Sequence, residues 1–258
     1  MKNLNEYITE KLRINSKTFP NIKYKYYPKT KQELREIIEE RLEKDNNANL
    51  NDIDVSEIED MSELFYDMYE MNNIDISQWN VSKVKDMQYM VYHCYKFNSD
   101  LSQWDVSNVE DMHCMFEYCY NFNSDLSKWD VSNVEKMYSM FSFCKNFNSD
   151  LSSWNVSNVN NMSSIFCRCE NFNSDLSNWD VSKVESISNA FAGCKKFNSD
   201  LSKWDVSNVR NLIWVFHDCK KFNCDLSNWN INKVKKKDMK HAFDNCDSLK
   251  NIPKWYKY

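Results

Sequence analysis

Apolar residues recur along most of this chain at an interval of 25. Trp79, Trp104, Trp129, Trp154, Trp179, Trp204 and Trp229 keep that spacing without a slip. Valines follow these tryptophans at two and five residues, as at Val131 and Val134 after Trp129, with Ile231 continuing the first column after Trp229. Met87, Met112, Met137 and Met162, continued by Ile187 and Leu212, stand eight residues after it. Phe116, Phe141, Phe166, Phe191 and Phe216 stand twelve after, and Cys94, Cys119, Cys144, Cys169, Cys194 and Cys219 fifteen after. A fixed period between 20 and 50 residues marks stacked units, none of which can bury its apolar face alone. Each unit must therefore match its neighbours.

Within one unit the pattern changes. The stretch "DLSKWDVS" alternates, with Trp129 and Val131 on one side and Asp130 and Ser132 on the other, which predicts a short strand. "VEKMYSMFSFC" spaces its apolar residues by three and four, which predicts a helical or 3₁₀ turn. The fold expected is an α/β solenoid, leucine-rich-repeat-like, of about eight rungs, each a short strand plus a short helical turn. Residues 53–68 form a first rung, and the irregular rung at 229–258 acts as a C-terminal cap. Residues 1–48 lack the repeat and predict a helix/strand/helix cap: a helix in "NEYITEKL", a strand over Ile22–Tyr27, and a helix over Thr30–Lys44. The last has capping-box spacing at Thr30 and Glu33, and an apolar stripe of Leu34, Ile37, Ile38 and Leu42.

Composition narrows the chemistry. The net charge of −5 speaks against nucleic acid as a partner. No apolar run is long enough for membrane insertion, and the charged start carries no secretory pattern, so the default location is cytoplasmic. Only one glycine, Gly193, is present, so turns of positive φ are expected to fall largely on asparagine. Neighbouring rungs would bring column cysteines within disulfide reach, yet a buried free thiol is also a small hydrophobe, and reduced thiols are expected. The four histidines share no column, and no catalytic or metal motif is present, so no cofactor is expected. Stacked aspartates, Asp100 to Asp225, suit turns that accept backbone N–H groups, with a calcium array as the alternative. The asparagines from Asn98 to Asn223 suggest a ladder.

The columns F-N-x-D-L-S-x-W-D-V-S-x-V-x-x-M-x-x-M-F-x-x-C resemble the 25-residue repeat of bacterial surface proteins and mycoplasma-type lipoproteins, the BspA-like branch of leucine-rich repeats. "MFSFCKNF" matches the turn of that repeat, and the match spans about residues 50–258. The head of the chain resembles leaders found on such repeats in gut bacteria and their phages. The resemblance implies a non-enzymatic, right-handed solenoid that binds proteins or host surfaces. The function expected is thus a monomeric protein-interaction scaffold, a bacterial or phage-encoded surface or host-interaction protein with a protein partner. Its candidate surface is two varying series: Gln103, Lys128, Ser153, Asn178 and Lys203, and Glu110, Glu135, Asn160, Glu185 and Arg210. The alternative is a carbohydrate- or calcium-binding repeat that uses the tryptophan or aspartate column.

Overall fold

The computed structural model describes residues 22–256, so the helix expected in residues 5–12 lies outside them. The first element is α1 (Lys31–Lys44). It starts where Thr30 Oγ1 accepts the Glu33 N–H at 3.2 Å and the Glu33 carboxylate accepts the Lys29 N–H at 2.6 Å, which satisfies two donors at the helix start. Leu34 and Ile38 are buried, and Ile37 and Leu42 pack at the margin of the same core. Arg41 ties the helix to the first rung, donating to Asp52 at 2.9 Å and to the Asn49 carbonyl at 2.8 Å. Before the helix, Tyr26 pairs with Ile53 in one parallel bridge. The Lys25 N–H reaches the Asp52 carbonyl at 2.8 Å, and the Asp54 N–H returns to Tyr26 at 2.9 Å.

The rungs are built differently from the expectation. Among the described residues, helix is confined to α1 and one 3₁₀ turn at Lys236–Met239, and strand pairing is limited to isolated bridges. The chain is not an α/β solenoid of strand-and-helix rungs. Its apolar residues are instead the corners of successive turns. In one rung the N–H of Trp129 donates to Leu126, Val134 to Val131, Met140 to Met137, Cys144 to Phe141 and Phe147 to Cys144, at 2.9–3.2 Å. Each bond spans three residues, whereas an α-helix bonds across four. Left-handed residues at Ser139 and Phe143, with φ of 56° and 62°, stop any helix from propagating. The spacing of three was real, but it counted turns.

Those two positions recur in all eight rungs, from Glu63 and Asp67 to His241 and Asn245. Asparagine does not dominate them: it holds only Asn189 and Asn245, while Tyr89, His93, Tyr118, Phe143, Arg168 and Trp214 hold others. A left-handed conformation costs a non-glycine residue about 1–2 kcal/mol. Here it turns the N–H toward the next rung: Ser139 donates to Ser163 at 2.9 Å and Phe143 donates to Cys167. In the first seven rungs an inter-rung bond offsets each such residue.

Side chains supply the rest of the stitching. Every column tryptophan Nε1 from Trp79 to Trp229 donates to a carbonyl one rung back, as Trp154 does to Leu126 at 3.0 Å. Serine hydroxyls at Ser99, Ser124, Ser149, Ser174 and Ser199 accept the N–H of an apolar residue in the preceding rung at 2.7–3.0 Å. Asparagine oxygens from Asn98 to Asn198 accept the N–H of the next asparagine at 2.7–2.9 Å. Thus alternation in "DLSKWDVS" buries Trp129 and Val131 as a strand would, but side chains perform the pairing there.

One apolar core runs from Leu34 to Phe243. The last rung gains two residues between Val234 and Cys246, which the 3₁₀ turn accommodates. Trp255 then returns to the tryptophan column, 6.3 Å from Trp229 and nearly parallel to it. It also donates to the Leu226 carbonyl at 2.9 Å.

Phe166 is fully buried between Phe141 and Phe191, with Phe172 at 4.0 Å. Phe166→Ala is expected to lower unfolding stability by about 3–5 kcal/mol, measured by denaturant titration. A variant of near wild-type stability would show that the aromatic column is dispensable.

Candidate functional site

The repeat divides its positions into those that stack and those left free. The tryptophans belong to the first kind. Each column ring from Trp79 to Trp229 is at most 4% exposed, and Trp129, Trp154, Trp179, Trp204 and Trp229 stack within 3° of parallel. The column aspartates accept the N–H of the serine two residues on, as Asp125 does from Ser127 at 2.9 Å, and these bonds hold Asp125 below the usual carboxylate range. Column cysteines donate to the phenylalanine-column carbonyl one rung back, as Cys169 does to Phe141 at 2.9 Å. Among the described residues no three His, Cys, Asp or Glu side chains converge as metal ligands would.

All ten residues of the two candidate series are exposed. Gln103, Lys128, Ser153, Asn178 and Lys203 precede the buried tryptophans. Glu110, Glu135, Asn160, Glu185 and Arg210 lie beside the bridge column, where their main chain joins rungs: the Glu135 N–H donates to Glu110 at 2.9 Å, and Arg210 to Glu185 at 2.8 Å. The two series are each a line of mixed polar groups, and neither forms a cluster.

A denser assembly sits on the turns that were read as helix. Tyr66 and Tyr92 stack at 5.0 Å, Tyr95 and Tyr120 at 5.1 Å, and Tyr118 and Phe143 at 4.5 Å. His93 stacks on Tyr92 at 4.0 Å and meets Tyr118 edge-on at 4.5 Å. His113 lies between Tyr89 and Tyr138, and its Nδ1 contacts the Asp111 carboxylate at 2.6 Å. Most of these rings are half-buried, while the core columns beneath them are closed. The next two rungs replace them with small or charged groups such as Ser164, Ala192, Gly193 and Lys195, and the seventh puts Trp214 and His217 there, stacked at 5.5 Å. Gly193 lets Arg168 lie across its backbone, since a Cβ there would come within 2.8 Å of the Arg168 Cδ.

Within the patch, burial pushes the Glu117 carboxyl above its usual range, against the lowering effect of hydrogen bonds to Cys114 and Ser142. Burial also pushes the Cys114 thiol up to about 12. The signal for this face was present in sequence, in the residues that vary between the fixed Met, Met-Phe and Cys positions. Assigning that stretch to a helix dispersed them around an axis. Consecutive turns collect them on one side.

The model of a family described as "Mycoplasma protein of unknown function, DUF285" matches residues 32–154 and again residues 135–255. The chain belongs to this family. The first match begins inside α1, so the family pattern takes in most of that helix as well as the rungs, and two overlapping matches reflect the tandem repeat. No curated protein matches the chain. Among the described residues no helix of this family member is long and apolar enough to cross a membrane.

All ten cysteines are free thiols. Burial raises Cys119, Cys144, Cys169, Cys194 and Cys219 well above the ordinary thiol range, and Cys167 and Cys224 to about 11. Cys224 takes the serine position of its rung, accepting the Leu201 N–H at 3.3 Å. Alkylation of the native protein followed by peptide mapping should mark Cys167 and Cys224 first, and the column thiols only on unfolding. Equal labelling of Cys144 would contradict the closed column.

Because the folded state holds the Glu117 proton that the unfolded chain releases, stability should fall as pH rises from the ordinary carboxylate range through Glu117's raised one. Glu117→Gln removes that loss. The variant should melt above wild type at neutral pH and coincide with it below about pH 4. A lower melting point at neutral pH would show that the ionised carboxylate is needed.

Proposed function

We propose that the chain is a non-enzymatic protein-interaction module whose partner docks on the aromatic turn face of its first rungs. The observation that carries this reading is the occupancy of the left-handed positions. Tyr89, His93, Tyr118 and Phe143 stand where glycine would adopt the backbone without strain. The inter-rung bond at these places is made by the main chain and does not call for a ring. Their side chains form a half-exposed cluster of tyrosine and histidine, the residue types that supply broad contact area at low entropic cost in binding surfaces.

The sequence resemblance to BspA-like repeats, as surface-binding proteins, supports the same reading. In the carbohydrate alternative a tryptophan would need a free face, and each ring is covered by its neighbours in the column. In the calcium alternative three or more carboxylates would have to converge on one ion, and among the described residues no such group does.

Photo-crosslinking distinguishes these readings. A benzophenone side chain placed at Tyr92 or Tyr95 should form a discrete adduct with a host protein, and the same group at Lys128 or Lys203 should not. Adducts confined to the Lys128 and Lys203 positions would move the site to the pre-tryptophan series. A melting point that rises by several degrees with a sugar or Ca²⁺, without any protein adduct, would favour the alternative.

A further inference from the structure

The tyrosine ladders have two ends, and the structure treats them differently. One ladder runs Tyr69, Tyr95, Tyr120, with centroids 5.9 and 5.1 Å apart. At its far end a cation closes it: Lys145 Nζ lies 4.9 Å from the Tyr120 centroid. At its near end Tyr69, which is 47% exposed, has no earlier rung to stack on. A second ladder ends the same way, in Tyr66 against Tyr92.

Both terminal rings line a cavity of about 620 Å³ between α1 and the first rung. Leu42, Met68 and Met71 supply its apolar wall. Four carboxylates, Glu39, Glu43, Asp67 and Glu70, stand around it with a single cation, Arg35. Arg35 is already engaged, by Glu39 at 2.8 Å and the Glu63 carbonyl at 2.6 Å. Asp67 lies 3.2 Å from His93 Nδ1, so it forms part of the wall. Glu43 and Glu70 make no ion pair with any described residue.

An aromatic face is negative at its centre, and it attracts a cation most strongly where solvent is partly excluded and carboxylates stand nearby. We propose that this cavity binds an organic cation, an alkylammonium or guanidinium group that closes the open end of the ladder as Lys145 closes the other. Its volume falls in the range of small-ligand sites. The site stands whether or not a protein docks on the turn face.

Calorimetric titration of the full chain at low ionic strength tests this with four probes. Tetramethylammonium represents a free cation, blocked lysine and blocked arginine represent a peptide side chain, and 2,2-dimethylpropan-1-ol is a neutral isostere. At least one cation should saturate the protein, with the neutral isostere about tenfold weaker or worse. Preference for tetramethylammonium assigns the site to a small molecule, and preference for a blocked amino acid assigns it to a peptide; either supports the proposal. Tyr69→Leu, which keeps apolar area without a ring, and the pair Glu43→Gln with Glu70→Gln should each weaken binding about tenfold with melting unchanged. These side chains lie at the surface, so loss of fold does not stand in for loss of binding. Equal binding of the neutral isostere, no saturation by any cation at roughly 50 mM, or undiminished binding by both variants would overturn the proposal.

Discussion

The structure depends on each rung finding its hydrogen-bond partners in the rung beside it. A β-solenoid meets this demand with continuous ladders, whose donors and acceptors are supplied by the backbone regardless of side chain. Here no continuous ladder forms: the main chain bonds between rungs along the turns, and indole, hydroxyl, amide and thiol groups share the remaining bonds. Buried backbone groups without partners are costly. Therefore the identities of Trp, Ser, Asn and Cys matter as much as their hydrophobicity. This explains why one phrase recurs nearly letter for letter. A leucine could fill the space of Trp154, but it would leave the Leu126 carbonyl without its donor.

The same dependence determines what could be read from sequence. Period, rung number, the buried columns and the asparagine ladder were all legible, because each is a repeated residue type at a repeated offset. Local conformation was not. Apolar residues three apart fit a helix, a 3₁₀ segment or consecutive turns, and periodicity alone does not separate them. What separates them is φ at positions such as Ser139 and Phe143, and no residue type there announces a left-handed backbone. Asparagine, the residue expected to do so, is mostly occupied elsewhere, accepting N–H groups between rungs. The turn face went unseen for the same reason, since its members share a side only once the turns are known. The C-terminal closure was closer to hand: Trp255 stands 26 residues after Trp229, one step off the period.

Stacking and recognition thus occupy different residues of the same turn. Met137, Met140, Phe141 and Cys144 point inward and are fixed by their neighbours. Tyr138, Ser139 and Phe143 lie between them and are free to differ from rung to rung. The left-handed residues link the two roles, because the backbone geometry that sends an N–H to the next rung also presents the side chain at the surface. A change there alters the face while the inter-rung bond, made by the main chain, survives. The face can therefore diversify without dismantling the stack.

A stack of finite length also has ends, and its ends differ physically from its middle. Inside, the rings of the phenylalanine column have neighbours in the rungs on both sides, so their faces are covered. At the first rung that symmetry is lost, and α1 substitutes for the missing neighbour. A helix cannot reproduce a rung. It covers the core through Leu34 and Ile38 but leaves Tyr66 and Tyr69 bordering open space. The cavity is thus a consequence of capping a flat stack with a cylinder. Its acidic rim comes from the polar side of the same helix together with the first turn. Here the rings of Tyr66 and Tyr69 border one cavity beside Glu43 and Glu70, which makes the junction between cap and rung chemically different from the surface along the stack.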